Sequence, residues 1–221
     1  MEQGMSEQKS SIMLVDDHPL LRKGLKQLLA LEDELEVIAE ASSGMDAIPL
    51  AVELDPDLII LDLNMQGMDG IATLKRLRDE GVTSRIVMLT VSDADEDVVN
   101  AISNGADGYL LKDSDPELLL EHIKRALTGK MVLSEAVTQV LATALRRPAV
   151  KTPAELNSLT NREYEILSFI AKGLSNKLIA RELNISDGTV KVHVKHLLKK
   201  LGLRSRVEAA VWMVNQQGNK V

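Results

Sequence analysis

Residues 56–70 read PDLIILDLNMQGMDG, and the stretch decides the fold. Its apolar run from Leu58 to Leu61 is strand-sized and does not alternate with polar residues, so both faces of the strand are hidden. The run stops on an acid, Asp62, and a turn-rich segment with two glycines follows. Four more segments of the same kind flank it, at Ile12–Asp16, Glu36–Glu40, Arg85–Thr90 and Gly108–Leu111, with Asp57–Asp62 as the third of five. Between them lie helical patterns, such as Leu20, Leu21, Gly24, Leu25 and Leu28 at 3.6-residue spacing, with Pro19 at a first helical position. Gly81, Gly105 and Gly129 stand where helices should stop. Strands apolar on both faces that alternate with helices imply an α/β architecture: a flavodoxin-like, doubly wound, five-stranded parallel sheet.

In such a sheet ligands bind beyond the carboxyl ends of the strands. Asp16 and Asp17 end the first strand and Asp62 ends the third, and in the flavodoxin-like order these strands are neighbours. Three carboxylates should therefore converge on one crevice, where a hard divalent ion such as Mg²⁺ relieves their repulsion. Thr90 brings a hydroxyl from the end of the fourth strand, and Lys112 brings an ammonium from just after the fifth. Cation, ammonium and hydroxyl together suit phosphoryl transfer to a carboxylate nucleophile. His18 follows the acidic pair and reads as a helix-entry residue or as a metal ligand. Asp93, Asp95, Glu96 and Asp97 suit the N-terminus of the next helix through its dipole.

Beyond Lys130 the pattern changes. Ser134 can cap a helix over about 134–146, and the prolines at 148 and 153 mark an extended linker. The expected organisation is an N-terminal tail at 1–10, an α/β domain at 11–130, a linker at 131–155 and a small all-α domain at 156–221. In the last of these, Thr160 and Glu163 form a T-x-x-E capping box, a short helix runs from about Ser175 to Leu183, and a turn leads into a helix over about 187–200. A fourth helix begins near Ser205. The second and third of these form a helix-turn-helix. On the 187–200 helix, Val190, Val194, Leu197, Leu198 and Leu201 form a buried stripe, while Gly188, Lys191, Val192 and Lys195 share the opposite face.

Charge divides at the same place. Residues 11–130 hold 11 Lys+Arg against 24 Asp+Glu, whereas residues 156–221 hold 11 against 5, within a chain of net charge −7. A basic helical half suits double-stranded DNA: Lys191, Val192 and Lys195 would face the major groove. Thr189 adds a hydroxyl there, and Ser186 reads as a cap. Lys199, Lys200, Arg204 and Arg206 would meet phosphates. An aromatic fraction of 2% argues against base stacking on single strands. The absence of cysteine excludes disulfides and thiolate metal sites. No apolar run reaches membrane length and the first ten residues carry no signal core, so a cytoplasmic protein without membrane contact is expected.

The segments LVDDHPLLRKGL, PDLIILDLNMQGMDG, IVMLT and GADGYLLK resemble the receiver domains of two-component response regulators over about Ser11 to Gly129. LTNREYEILSFIAKGLSNKLIARELNISDGTVKVHVKHLLKKLGLRSRVEAA resembles the LuxR/FixJ-type helix-turn-helix. Together they place the chain with the NarL (LuxR/FixJ) family, and within it the chain resembles the nitrate/nitrite response regulators. The resemblance implies that Asp62 is the phosphoacceptor for a sensor histidine kinase. It also implies that Asp17, Asp62 and the Asn64 carbonyl bind Mg²⁺ with Asp16 in support, and that Thr90 and Lys112 contact the phosphoryl group. Tyr109 matches a switch position whose ring reorients with Thr90, although a half-buried strand aromatic would look the same. The last helix, with Val207, Ala210 and Val211, would pair two copies into a homodimer on DNA; the alternative is that it closes the monomer's core. Gln66 and Asp113 stand where receivers often have proline.

Charge asymmetry and family together lead to the expectation that the acidic half covers the basic reader until phosphorylation frees it. A different upstream signal within the same family is one alternative. A phosphohydrolase using Asp62 as nucleophile is another, but it would want an acid two residues on, where Asn64 stands. A protein-docking or RNA-binding role for the C-terminal half is the third. No P-loop, G-x-S-x-G or H-E-x-x-H motif is present, and the chain is not expected to be an enzyme.

Overall fold

The structure is a computed structural model that describes residues 9–92, 94–128, 132–133 and 159–218. The helix expected over 134–146 and most of the linker lie outside the described residues.

The N-terminal half is a parallel sheet in the order β2-β1-β3-β4-β5-β6. Its strands are β1 (Ser10–Val15), β2 (Leu35–Ala41), β3 (Leu58–Asp62), β4 (Arg85–Thr90), β5 (Gly108–Leu111) and β6 (Val132–Leu133). The five expected strands are joined by a two-residue sixth, which extends the edge beside β5 and was too short to leave a periodic signal. The helices are α1 (Pro19–Leu29), α2 (Gly44–Leu54), α3 (Gly70–Asp79), α4 (Asp95–Ser103) and α5 (Pro116–Leu127).

Alternation along the central strands divides the core in two. Met13, Val15, Ile59, Leu61, Ile86, Met88 and Tyr109 face α2, α3 and α4, where Ala47, Ala51, Leu74, Leu77 and Val98 meet them. Ile12, Leu14, Leu58, Ile60, Val87, Leu89 and Leu110 face α1 and α5 and meet Leu25, Leu29, Leu119 and Ile123. Every residue of β3 and β4 is buried, which explains the lack of alternation in their sequence. The helix starts are set locally: Ser43 Oγ accepts from the Asp46 N–H and Asp69 Oδ1 from the Ala72 N–H, while Pro19 and Pro116 begin α1 and α5.

The C-terminal half comprises α6 (Asn161–Ala171), α7 (Asn176–Leu183), α8 (Asp187–Leu201) and α9 (Arg206–Gly218). The capping box is present: Glu163 Oε2 accepts from the Thr160 N–H at 2.7 Å while Thr160 Oγ1 accepts from the Glu163 N–H. Asn184 and Gly202 end α7 and α8 in the left-handed conformation, at φ 50° and 62°. Ile166, Leu167, Ile170, Ile179, Val190, Val194, Leu197, Leu201, Ala209 and Trp212 form its core. No helix among the described residues is long and apolar enough to cross a membrane.

Candidate functional site

At the carboxyl ends of β1 and β3, which pair with Val15 opposite Leu61, the chain turns outward and leaves Asp16, Asp17 and Asp62 at one edge. One ligand atom from each of Asp16, Asp17, His18 and Asp62 lies within 4.8 Å of the others. Lys112, which follows β5, completes the group: its Nζ is 2.8 Å from Asp16 Oδ2 and 2.8 Å from Asp62 Oδ2. Asp62 is only 2% exposed. Burial raises its pKa above the ordinary carboxylate value, and repulsion from Asp16 adds to that rise despite the opposing pull of Lys112.

The rest of the edge is built around these acids. Asp62 Oδ1 accepts from the Asn64 N–H at 3.3 Å, and Asp17 Oδ2 accepts from the Gln66 N–H at 3.0 Å. Asn64 Nδ2 reaches Thr90 Oγ1 at 3.4 Å. Thr90 is fully buried and accepts from the Ser92 N–H, while the buried Tyr109 hydroxyl donates to the Ser92 carbonyl at 3.0 Å. A hydrogen-bonded path thus joins Asn64, Thr90, Ser92 and Tyr109. Gly70 fixes the loop from behind, because a Cβ there would lie 2.2 Å from the Asp62 carbonyl oxygen and 2.7 Å from Leu63 Cα. His18 caps no N–H with its side chain, and its Nδ1 sits 2.8 Å from Asp17 Oδ1 and 3.2 Å from Asp16 Oδ1. The peptide bonds of the described residues are all trans, including the one after Lys112.

The donors suit a hard cation. Asp16, Asp17 and Asp62 offer carboxylate oxygens beside the His18 ring, and cysteine thiolates are absent. An acidic cluster able to hold a divalent ion is therefore in place.

The basic half rests on the opposite edge of the sheet, against the loops that enter β3, β4 and β5. Lys191 Nζ, on α8, donates to the Asp55 carbonyl at 2.7 Å and lies 3.2 Å from its carboxylate. Lys177, on α7, pairs with Asp57 at 3.0 Å. Burial opposes ionisation of Asp57, but the Ser11 N–H, Lys177 and Lys191 together hold its pKa below the ordinary value. Lys195 runs over Gly81, where an added Cβ would come within 2.6 Å of its Cε. Gly188, Lys191, Val192 and Lys195 line a cleft of about 230 Å³ against Ala51, Val52 and Glu80–Thr83.

The remaining sequence-selected residues are distributed unevenly. Thr189 is exposed and its hydroxyl meets Ser186 at 2.7 Å, and Ser186 caps α8. Lys199 is exposed, and Lys200 pairs with Glu163 at 2.7 Å. Arg204 donates to Asn104 Oδ1 of the α/β half at 3.2 Å. Arg206 is not at the surface: it is buried and donates to Asn176 Oδ1 at 2.8 Å and the Leu174 carbonyl at 2.6 Å, which makes it a packing residue in this arrangement. On α9, Val207 and Ala210 are half-buried and Val211 is 41% exposed, whereas Ala209, Trp212 and Met213 close the core. Asp55, Asp57 and Lys177 carried no sequence signal, since each matters only once the two halves meet.

Comparison with known proteins agrees with this geometry. Residues 12–124 match the response regulator receiver domain, and residues 157–213 match the luxR family of bacterial regulatory proteins. The chain is 55% identical to the nitrate/nitrite response regulator protein NarL of Escherichia coli K12, over 94% of this chain and 96% of that one. It is 51% identical to a nitrate/nitrite response regulator homolog of Haemophilus influenzae, over 95% and 99%. Among solved structures, response regulator ChrA of a heme-sensing two-component system matches with a TM-score of 0.51 and 34% identity, over 95% of this chain and 98% of that one. An acid-lined receiver edge and a helix-turn-helix on one chain, with relatives of the same two parts over nearly its whole length, establish that this protein belongs to the response regulators with a LuxR-type DNA-binding domain.

Proposed function

We propose that Asp62 accepts a phosphoryl group from a sensor histidine kinase and that the modification releases α8 to bind DNA. The domains are then a receiver at 11–130 and a DNA reader at 156–221. The observation that carries this reading is the placement of the Lys112 ammonium 2.8 Å from both the Asp62 and Asp16 carboxylates, at the sheet edge where a phosphoryl group would have to be received.

In the transfer, a carboxylate oxygen of Asp62 attacks phosphorus, the bond to the kinase's histidine nitrogen breaks, and that nitrogen keeps the electron pair. Asp17, Asp62 and the Asn64 carbonyl would hold Mg²⁺, with Asp16 in support. The ion, when bound, supplies positive charge to phosphoryl oxygens. Lys112 then shifts from a carboxylate pair to a carboxylate–phosphoryl pair, and the Thr90 hydroxyl offers a donor. Drawing Thr90 toward the phosphoryl group takes away the acceptor of the Ser92 N–H, which loosens the Ser92 carbonyl that holds Tyr109.

In the unphosphorylated chain Lys191, Val192 and Lys195 face the receiver, so the same surface cannot enter a major groove. Phosphorylation shifts the population toward an open form. Gly188, Thr189, Lys191, Val192 and Lys195 then meet bases and Lys199 and Arg204 meet phosphates, with Val207, Ala210 and Val211 pairing two copies. Two-fold pairing predicts an inverted-repeat site. The relatives at 51–55% identity support nitrate or nitrite as the signal upstream of the kinase, and a cytoplasmic location accords with these partners.

The test is incubation with acetyl phosphate and Mg²⁺, followed by mass spectrometry and DNA titration. The expected result is one acyl phosphate, lost in Asp62→Asn, and tighter DNA binding after phosphorylation. Repeated turnover without a stable phosphorylated species would favour a phosphohydrolase and overturn the reading.

A further inference from the structure

Between the two halves lies a partly enclosed pocket of about 40 Å³, lined among others by Ser84, Arg85, Asp57, Lys177, Lys191 and Arg206. That volume exceeds the roughly 10–15 Å³ that a single water-sized guest requires, and it is far too small for an organic metabolite. Among the described residues its lining carries Arg85, Lys177, Lys191 and Arg206 beside the carboxylate of Asp57; Lys177 pairs with Asp57 at 3.0 Å and Lys191 with Asp55 at 3.2 Å, which leaves the two arginines.

The two arginines are the unusual members. Arg85 opens β4 and is 5% exposed; Arg206 opens α9 and is 6% exposed. Neither guanidinium lies within ion-pair distance of a carboxylate among the described residues. Arg85 Nη1 donates to the Ala126 carbonyl, Arg206 donates to Asn176 and the Leu174 carbonyl, and all three acceptors are neutral. Arg85 Nη2 and Ser84 Oγ are buried and have no hydrogen-bond partner among the described residues. Asp107, which attracts both arginines at longer range, is engaged by Arg78 at 2.8 Å, and Asp187 leans toward Lys191 at 3.7 Å. Burial and the neighbouring Arg85 bring the pKa of Arg206 down to about 9. Buried charges are ordinarily paired, and a buried donor without an acceptor is costly.

We infer that this pocket binds a small inorganic anion of halide size, clasped between Arg85 of the receiver and Arg206 of the DNA-binding domain. Ser84 Oγ and Arg85 Nη2 supply the free donors. Because each domain contributes one guanidinium, the complete site exists only when the domains are together, and the anion therefore favours the closed form. The site needs only that closed arrangement and is independent of whether phosphorylation opens it.

The test uses the full chain. Crystals of the unphosphorylated protein grown in sodium bromide should give an anomalous peak within hydrogen-bond distance of Arg85 Nη2. A second arm exploits the absence of native cysteine: Lys75→Cys and Lys172→Cys carry a fluorophore pair, one on each domain. Replacing gluconate by bromide at constant ionic strength should raise energy transfer saturably. The midpoint should weaken at least tenfold in Arg85→Met or in Arg206→Met, whichever of the two keeps wild-type circular dichroism. A water without anomalous signal at the site, or a bromide response unchanged in the folded variant, would overturn the inference.

Discussion

The Asp62 carboxylate and the Lys112 ammonium meet at 2.8 Å on the carboxyl edge of the sheet, yet Asp62 remains harder to ionise than an ordinary aspartate. Burial and Asp16 outweigh the lysine. A raised carboxylate binds its proton more tightly folded than unfolded, so its ionisation destabilises the fold as pH rises through the window above the ordinary aspartate value of 3.8. Without divalent metal, Asp62→Asn should therefore melt at a higher temperature than wild type near pH 7, and the gap should close as pH falls toward that value. Mg²⁺ should stabilise wild type more than the variant. Thermal denaturation across pH, with and without Mg²⁺, measures both.

The reactive form of Asp62 is ionised, and Lys112 favours it. Lys112→Gln should lower the rate of phosphorylation by acetyl phosphate at least tenfold at pH 7 and move the acid limb of the pH–rate profile upward. Unchanged limb and rate would separate the lysine from the chemistry.

Gly70 backs the Asp62 loop with no room for a methyl group. Gly70→Ala must push α3 away from the end of β3, at a cost of about 1–3 kcal/mol. Phosphorylation should slow even in the fraction that stays folded, which denaturant melts paired with single-turnover labelling would reveal.

Asp57 is held below its ordinary pKa by the Ser11 N–H and by Lys177 and Lys191, against its burial. Here the sign is reversed: the contribution to closure is present above the ordinary aspartate value and is lost as pH falls through the lowered one. Asp57→Asn removes the pairing at all pH values. At about 1 kcal/mol for one ion pair, the unphosphorylated variant should bind DNA roughly fivefold tighter than wild type, read by titration at fixed salt.

Lys195 is the lysine of α8 that lies over Gly81 when the domains are together. In the phosphorylated protein Lys195→Ala should weaken DNA binding and reduce the slope of log K against log salt by about 0.9 if it meets a phosphate. On α9, Val211→Asp should leave the fold intact, given its exposure, while abolishing cooperative binding to an inverted repeat.

Much of this was legible before any coordinates. β3 and β4 announced themselves because strands buried on both faces cannot alternate, and the parallel order that follows brings Asp16, Asp17 and Asp62 to one edge. The capping box at Thr160 and Glu163 is a local signal and formed as read. What the chain could not disclose arises between distant segments. A buried arginine has the same letter as a surface one, so Arg206 read as a phosphate contact although it packs under α7. Asp57 and Lys177 are 120 residues apart and look like ordinary surface charges until the domains touch. The strand at Val132–Leu133 is too short for any period to show.

The acid cluster and the covered helix occupy opposite margins of the same sheet, separated by the length of a strand, roughly 16 Å for five residues. Over more than a Debye length the new negative charge is too distant to pry Lys191 from Asp55 by simple attraction or repulsion. The message has to travel as a change in the preferred packing of the receiver itself. Evolution can consequently retune how readily the latch lets go, through residues such as Asp55, Asp57 and Asn104, while leaving the chemistry that reads the kinase untouched.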